Sequence, residues 1–305
     1  MSALPQTVAD AARQLRDGAV SSAELTAAAL ARADALDPRL GVFVTRFAEE
    51  ATAAAQTADR ERAAGQDRGP LHGVPVGIKD IISAAEGPTT AGSLVLDPAW
   101  GAGRDATATT RLREAGAVIV GKTTTMEFAF GPPDPAKPFT LPRNPWDLDT
   151  WPGGSSSGTG SGVAAGCFLA GLGTDTGGSI RLPAAYCGVT GMMPTFGLVA
   201  GAGVAPLGYS LDRIGPLAHT AEDCALVLAA IAGQDDTDPY STARPATDLM
   251  AKVGPSLAGL RVGVARAAFD GAEGRFPPDP ALEGVFNTAL DVLVDRGAEL
   301  VEIAL

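Results

Sequence analysis

The sequence predicts an α/β fold, on three observations. Segments with helical periodicity alternate with short apolar strands along the chain. A stretch rich in Gly, Ser, Thr and Ala, residues 153–197, offers small side chains that allow close packing. The 305 residues are 46% hydrophobic and include 38 glycines and 23 prolines, which is typical of a globular protein with a large core and many turns.

Residues 1–65 are predicted to form a helical segment. Its first helix is predicted from apolar residues at helical spacing, namely Val8, Ala11, Ala12 and Leu15. This helix is expected to stop at Gly18. Ser21 and Glu24 match a capping box, which starts a second helix that should run to about Ala35. A third, alanine-rich helix is predicted at Arg46–Ala64.

Residues 70–235 are expected to form the core of the protein. Residues 71–80 predict a turn that leads into a short buried strand ending near Lys79, and Gly131–Pro152 predicts a loop. The other predicted elements are helices at Ala106–Ala115, Ser161–Leu172 and Thr220–Ala232 and a β-branched strand at Ala117–Val120.

Residues 236–305 are predicted to form a βαβ-like extension of the same domain, so that residues 1–305 make one domain. An exposed connection is expected at Gln234–Pro245. It is followed by a strand at Leu260–Ala265, a helix at Ala281–Arg296 and a strand at Glu299–Leu305.

Charge and cysteine content exclude several classes of function. The formal net charge of -12 and the lack of a basic run argue against direct binding of nucleic acid. The apolar stretches are too short to span a membrane, and the N-terminus does not resemble a signal peptide. Cys167, Cys187 and Cys224 show no CxxC spacing, so no metal site is expected. These features indicate a cytoplasmic protein without disulfides.

Two short motifs offer competing interpretations. Gly116–Thr123 matches the phosphate-binding pattern GxxxxGK[ST], but its middle residues are predicted to be the strand itself, which favours a core strand. Gly154–Gly158 matches the nucleophile elbow GxSxG with Ser156 as nucleophile. That chemistry needs a histidine base after the motif, and His219 has no supporting acidic pattern.

A third candidate combines Ser179 with Lys79. Two glycines precede Ser179, so the backbone there can approach a ligand closely, although such turns often have no chemical role. Lys79 follows an apolar segment, and burial would lower its pKa toward that of a base. The alternative is a lysine at the exposed end of a strand.

Considered together, these segments resemble the amidase signature family. The resemblance covers roughly residues 70–235, and its motifs occur in the family's order: 73–80, 89–93, 116–122, 142–146, 152–158, 173–183 and 187–191. It implies the amidase-signature fold, a mixed central β-sheet with helices on both faces. A single one of these patterns would be weak evidence, but the ordered set is specific.

The resemblance also implies a Ser-Ser-Lys triad that cleaves carboxamides through an acyl-enzyme, without a metal or cofactor. Ser179 is the implied nucleophile, Ser155 the bridging serine after a cis peptide bond, and Lys79 the general base. The implied oxyanion or substrate-binding residues are Thr176, Gly177 and Gly178, and the implied supporting residues are Ser156, Asp175 and Arg181.

Members of the family are usually longer, so the chain is expected to be truncated at its C-terminus. A small-molecule amide is the expected partner, with a homodimer or a complementing C-terminal fragment as further candidates. The 89–93 segment is more similar to a stand-alone amidase than to the glutaminase (A) subunit of the tRNA-dependent amidotransferase. That subunit, and an inactive homologue acting as a binding protein, remain the alternatives.

Overall fold

The computed structural model describes residues 5–243, 256–266 and 279–304. The chain forms two compact units, residues 1–250 and 251–305. No helix among these described residues is both long enough and apolar enough to cross a membrane.

The first unit is built on a six-stranded mixed sheet with the order β1-β3-β2-β4-β6-β5. Strand β2 pairs in parallel with β3 and with β4. Strand β1 pairs antiparallel with β3, and β6 pairs antiparallel with β4 and with β5. The strands are β1 Phe43–Arg46, β2 Pro75–Lys79, β3 Val118–Thr123, β4 Ala170–Asp175, β5 Thr190–Gly191 and β6 Arg213–Ala218.

Seven α-helices in the described part of the first unit cover the two faces of this sheet. They are α1 Val8–Arg16, α2 Ser22–Leu40, α3 Ala48–Ala63, α4 Thr107–Glu114, α5 Ser157–Ala164, α6 Arg181–Cys187 and α7 Ala221–Ile231. One buried apolar cluster contains side chains of α1, α4 and α7 together with Ile119 of β3. The other contains side chains of α3, α5 and α6 together with Val118 and Val120. Successive β3 side chains thus point to opposite cores, as strand geometry requires.

The first two N-terminal helices begin where the sequence predicts, but α2 ends later than predicted and α3 begins at Ala48 rather than at Arg46. The capping box of Ser21 and Glu24 is confirmed. Helix α2 continues past Ala35 to Leu40 and ends at Gly41, which adopts the left-handed conformation that favours glycine (φ 61°). The sequence did not predict β1, because its four residues adjoin the helical pattern that begins α3.

The predicted helix at Ser161–Leu172 is wrong. The helix α5 covers Ser157–Ala164, Gly166 has φ 72°, and β4 begins at Ala170. Strand β4 pairs with β2 on one side and β6 on the other, and all its residues are buried. A strand buried on both faces shows no alternation of apolar and polar residues, so periodicity could not separate it from a small-residue helix.

A bulge in β3 determines where its lysine points. Val76 pairs with Ile119, but Gly77 pairs with Gly121, so β3 contains one extra residue, Val120. Lys122 is thereby placed opposite Ile78, on the opposite face of the sheet from Lys79. The prediction that the GxxxxGK[ST] match is a core strand is confirmed, because β3 is buried throughout.

The second unit contains β7 Arg261–Val264, α8 Pro280–Asp295 and β8 Glu299–Glu302, and the two strands pair in parallel. These elements confirm the predicted strand, helix and strand. The residues of the predicted connection up to 243 contain no helix or strand, and the rest of that connection lies outside the described residues.

Candidate active site

Lys79 is the last residue of β2, and its side chain is completely buried. Its Nζ donates hydrogen bonds to Ser155 Oγ at 2.7 Å and to Thr174 Oγ1 at 2.8 Å. Thr174 belongs to β4, which pairs with β2, so the sheet itself brings the threonine to the lysine. Both hydrogen-bond acceptors are neutral hydroxyl groups.

Burial lowers the pKa of Lys79 from 10.5 to about 7. The negative charges of Asp175 and Asp212 act in the opposite direction but do not offset the loss of hydration. A substantial fraction of Lys79 is therefore uncharged near neutral pH, and an uncharged amine can accept a proton.

Ser155 lies between β3 and α5, where the Gly154–Ser155 peptide bond is cis. The next residue, Ser156, joins this segment to the glycine-rich turn that carries Ser179. The N–H of Ser156 donates to the carbonyl oxygen of Ser179 at 3.2 Å. The backbone around Ser155 is thus hydrogen-bonded directly to the backbone of the predicted nucleophile.

Ser156 itself is fully buried and engaged with the sheet. Its Oγ accepts from the N–H of Thr174 at 3.2 Å and donates to the Thr174 carbonyl oxygen at 3.3 Å. A hydroxyl held in this way is not presented to a substrate, as the nucleophile-elbow interpretation would require. Its contacts instead lock the start of α5 onto β4.

Ser179 is half-buried in the turn that joins β4 to α6. Asp175, fully buried at the end of β4, organises this turn. Its carboxylate accepts hydrogen bonds from the N–H groups of Gly178 at 2.6 Å, Ile180 at 3.2 Å and Arg181 at 3.3 Å. The same carboxylate forms a two-pronged ion pair with the Arg181 guanidinium, at 2.9 and 3.0 Å.

These contacts determine the charge of Asp175. Burial by itself would raise the pKa of Asp175, but the hydrogen bonds from Arg181 and the backbone hold that pKa below its ordinary value. Asp175 is therefore an anion that fixes the turn around Ser179 at neutral pH.

The remaining residues of the turn differ in what they face. Gly177 is exposed, and its Cα faces open space, whereas the Gly178 N–H is already donated to Asp175. Gly178 has φ 127°, a conformation that other residues rarely adopt. Thr176 donates its hydroxyl hydrogen to Asp212.

Sequence reasoning missed Thr174 and Asp212. Thr174 occupies a strand that was predicted to begin as a helix, and Asp212 lies just before β6, some 36 residues from its partner Thr176. Neither residue has a local sequence signal. Thr174 reaches Lys79 only when β4 pairs with β2, and Asp212 reaches Thr176 only when the loop before β6 approaches the end of β4.

The structure contains a second buried lysine. Lys122 is also completely buried, and its Nζ lies 3.1 Å from Asp80 Oδ1 and 2.8 Å from Thr89 Oγ1. Asp80 in turn accepts hydrogen bonds from the N–H and hydroxyl of Thr90. The buried ion pair of Lys122 and Asp80, together with the hydrogen bonds to Thr89 and Thr90, thus connects motif residues 80 and 89–90 to β3.

The chain has clear relatives among known proteins. The family model described as Amidase matches residues 24–305. The chain is 47% identical over 302 residues to the A subunit of the glutamyl-tRNA(Gln) amidotransferase of Roseiflexus sp. (strain RS-1), a match that covers 98% of this chain and 60% of that protein.

Solved structures of similar fold also include an amidase and an amidotransferase A subunit. The native peptide amidase from Stenotrophomonas maltophilia superimposes with a TM-score of 0.88 at 38% identity, covering 98% of this chain and 62% of that one. The A subunit of the glutamyl-tRNA(Gln) amidotransferase from Thermotoga maritima gives a TM-score of 0.78 at 32% identity, covering 93% and 58%.

The fold and the site define a protein of the amidase-signature class, and the chain belongs to the Amidase family. The predicted amidase-signature fold is confirmed. The chain spans about 60% of the length of the curated relatives that it matches.

Proposed function

We propose that the protein is a serine amidohydrolase that cleaves carboxamide C–N bonds with Lys79, Ser155 and Ser179. The carrying observation is the buried Lys79 amine, whose pKa is lowered to about 7 and whose Nζ lies 2.7 Å from Ser155 Oγ. A structural lysine gains stability from a charged partner, whereas this lysine faces hydroxyl groups. Support for the reaction class comes from the family, whose members of similar structure include a peptide amidase.

In the proposed first step, neutral Lys79 takes the Ser155 proton while Ser155 Oγ takes the Ser179 proton. Ser179 Oγ then bonds to the carbonyl carbon, and the electron pair of the C=O bond moves to its oxygen. When the C=O bond re-forms, the C–N bond breaks. The proton returns from Lys79 through Ser155 to the leaving nitrogen, and ammonia or an amine departs.

Water completes the proposed cycle. Its oxygen bonds to the acyl carbon while its proton passes through Ser155 to Lys79, the relay used in acylation. When the bond between the acyl carbon and Ser179 Oγ breaks, the proton returns from Lys79 through Ser155 to Ser179 Oγ. The product is the carboxylic acid, which ionises to a carboxylate. The chain's own side chains carry every proton in this scheme, so no cofactor is invoked. Splitting amide cleavage into acylation and deacylation replaces one difficult step by two easier ones.

The glycine-rich turn is proposed to stabilise the oxyanion formed in both steps. Its predicted donors are the N–H groups of Thr176, Gly177 and Gly178. Exposed Gly177 fits this role best, because the Gly178 N–H is committed to Asp175. Ser156, Asp175 and Arg181 are proposed to fix the position of the turn relative to Lys79 and Ser155.

A glutaminase subunit is the second candidate, favoured by the 47% identity to the A subunit of an amidotransferase. The two functions differ in what they require. A stand-alone amidase releases ammonia from simple carboxamides by itself. A glutaminase subunit should hydrolyse glutamine only when partner subunits and charged tRNA are added.

The test is covalent labelling with a fluorophosphonate probe, with the modified residue identified by mass spectrometry. We expect an adduct on Ser179 in the wild type and a loss of labelling rate of at least about 100-fold in Ser155→Ala and Lys79→Ala. Ser161→Ala is the matched control, since Ser161 is also buried and its Oγ donates to the Arg143 carbonyl oxygen. An adduct on Ser156, or unchanged labelling in folded Lys79→Ala, would refute the proposal.

A further inference from the structure

An apolar cavity of about 270 Å³ lies in the first unit beside the proposed relay. Its lining combines aliphatic side chains, among them Ile81, Val199 and Ile214, with the rings of Phe196, Tyr209 and Tyr240. A cavity of about 150 Å³ with such a lining is large enough to hold benzene. The space therefore accommodates a group of at least aromatic size.

Two lining residues connect this cavity to the site. Thr174 lines the cavity and also accepts the hydrogen bond from Lys79 Nζ at 2.8 Å. Asp212 lines the cavity and accepts the hydroxyl hydrogen of Thr176, three residues before Ser179. The cavity thus borders one residue that is hydrogen-bonded to the proposed base and one that is hydrogen-bonded to the turn that carries the proposed nucleophile.

The charged side chains that line the cavity are negative among the residues that the structure describes. In that part of the chain, the lining contains the carboxylates of Asp212 and Asp238 and neither lysine nor arginine. Both carboxylates are engaged by loop backbone: Asp212 accepts from the Gly208 N–H at 3.0 Å, and Asp238 accepts from the Gly201 N–H at 2.7 Å. Arg213 is outside the lining, with its guanidinium 5.7 Å from the centre of the Phe196 ring.

We propose that this cavity is the pocket for the substrate's side chain, and that it selects carboxamides with an apolar, aromatic-sized group and rejects those with a negative charge. The proposal rests on the proposed function. An apolar group gains free energy by leaving water for such a lining, whereas a carboxylate would lose hydration and meet two like charges. Glutamine, which carries a carboxylate, is a poor fit.

The test is equilibrium binding to the full chain with Ser179→Ala, which removes the proposed nucleophile and so prevents turnover. Phenylacetamide, propionamide and succinamate (the monoamide of succinic acid) are titrated by calorimetry. We expect phenylacetamide to bind at least about 10-fold more tightly than either of the others. Equal binding of phenylacetamide and propionamide, or tighter binding of succinamate, would overturn the proposal.

Two further substitutions in the same background localise the binding. Ala202→Phe fills the half-buried edge of the cavity and should remove the preference for phenylacetamide over propionamide. Ala54→Phe, at a half-buried position on α3, is the matched control and should preserve it. Asp238→Asn removes one negative charge and should strengthen succinamate binding severalfold. A preference that survives Ala202→Phe in folded protein places the ligand elsewhere and overturns the assignment.

The outcome is separate from that of the proposed function. Labelling of Ser179 in the wild type reports the relay, whereas binding to Ser179→Ala reports the cavity. Labelling without selective binding would reject the pocket alone, and selective binding without labelling would reject the catalytic relay alone.

Discussion

Lys79 and Lys122 are two fully buried lysines at the ends of neighbouring parallel strands, and their surroundings are opposite. Lys79 meets the hydroxyls of Ser155 and Thr174, whereas Lys122 meets the carboxylate of Asp80 at 3.1 Å. The bulge in β3 puts the two side chains on opposite faces of one sheet.

The difference shows how one residue type supplies either a base or a structural ion pair. Burial lowers the pKa of both lysines. For Lys122 the nearby charge of Asp80 opposes that shift, so removing either partner leaves a buried charge without compensation. The charges that favour protonated Lys79 come from Asp175 and Asp212, neither of which is hydrogen-bonded to its amine.

The largest expected effect is on reactivity in Lys79→Met. If Lys79 is the base, this substitution should slow labelling of Ser179 by about 10³- to 10⁴-fold, because serine then has no acceptor for its proton. The measurement is the pseudo-first-order labelling rate. The protein should stay folded, since methionine fills the same space without a charge.

The next effect is on stability in Lys122→Met. Asp80 would remain buried opposite an apolar side chain, which should lower the free energy of unfolding by about 3–5 kcal/mol. Urea denaturation followed by circular dichroism measures this loss. Lys137→Met removes a more exposed partner of Glu127 and should change stability little. A folded Lys122→Met protein of wild-type stability would contradict the structural role.

A smaller effect concerns the pH dependence of stability. Unfolded Lys79 keeps its proton up to about pH 10.5, whereas the folded form releases it near pH 7. Between these values the unfolded state binds more protons, so the free energy of unfolding rises with pH by up to about 1.4 kcal/mol per unit. Below pH 7 both forms are protonated and this contribution to the slope vanishes.

The comparison with Lys79→Met isolates that contribution. From pH 7.5 to 9, wild type should gain about 2 kcal/mol relative to the variant, because all other titrating groups are shared. Parallel curves for the two proteins would mean that Lys79 keeps an ordinary pKa when folded.

A further effect is the pH dependence of labelling. Since the neutral amine is the reactive form, the labelling rate should rise about 10-fold per pH unit below pH 7 and level off above it. Ser161→Ala should show the same profile. A rate that is flat from pH 5 to 8 would exclude a base with a pKa of about 7.

Much of this site could be predicted from the sequence, because its motifs are local. The capping box at Ser21 and the buried character of β2 and β3 were predicted and are confirmed. The roles of Lys79, Ser155 and Ser179 stay predictions drawn from local motifs. The helix expected at Ser161–Leu172 was wrong because β4 is a central strand buried on both faces, a long-range effect that leaves no periodicity.

The sequence by itself determined the family, the alternation of helices and strands and the residue types available for the chemistry. Only the tertiary structure decided what each of those residues faces. Pairing of β4 with β2 brings Thr174 to Lys79, the bulge at Val120 sends Lys122 to Asp80, and the loop before β6 brings Asp212 to the cavity. The physical reason is that a buried amine takes its pKa from its neighbours in space, and those neighbours are set by strand pairing and register.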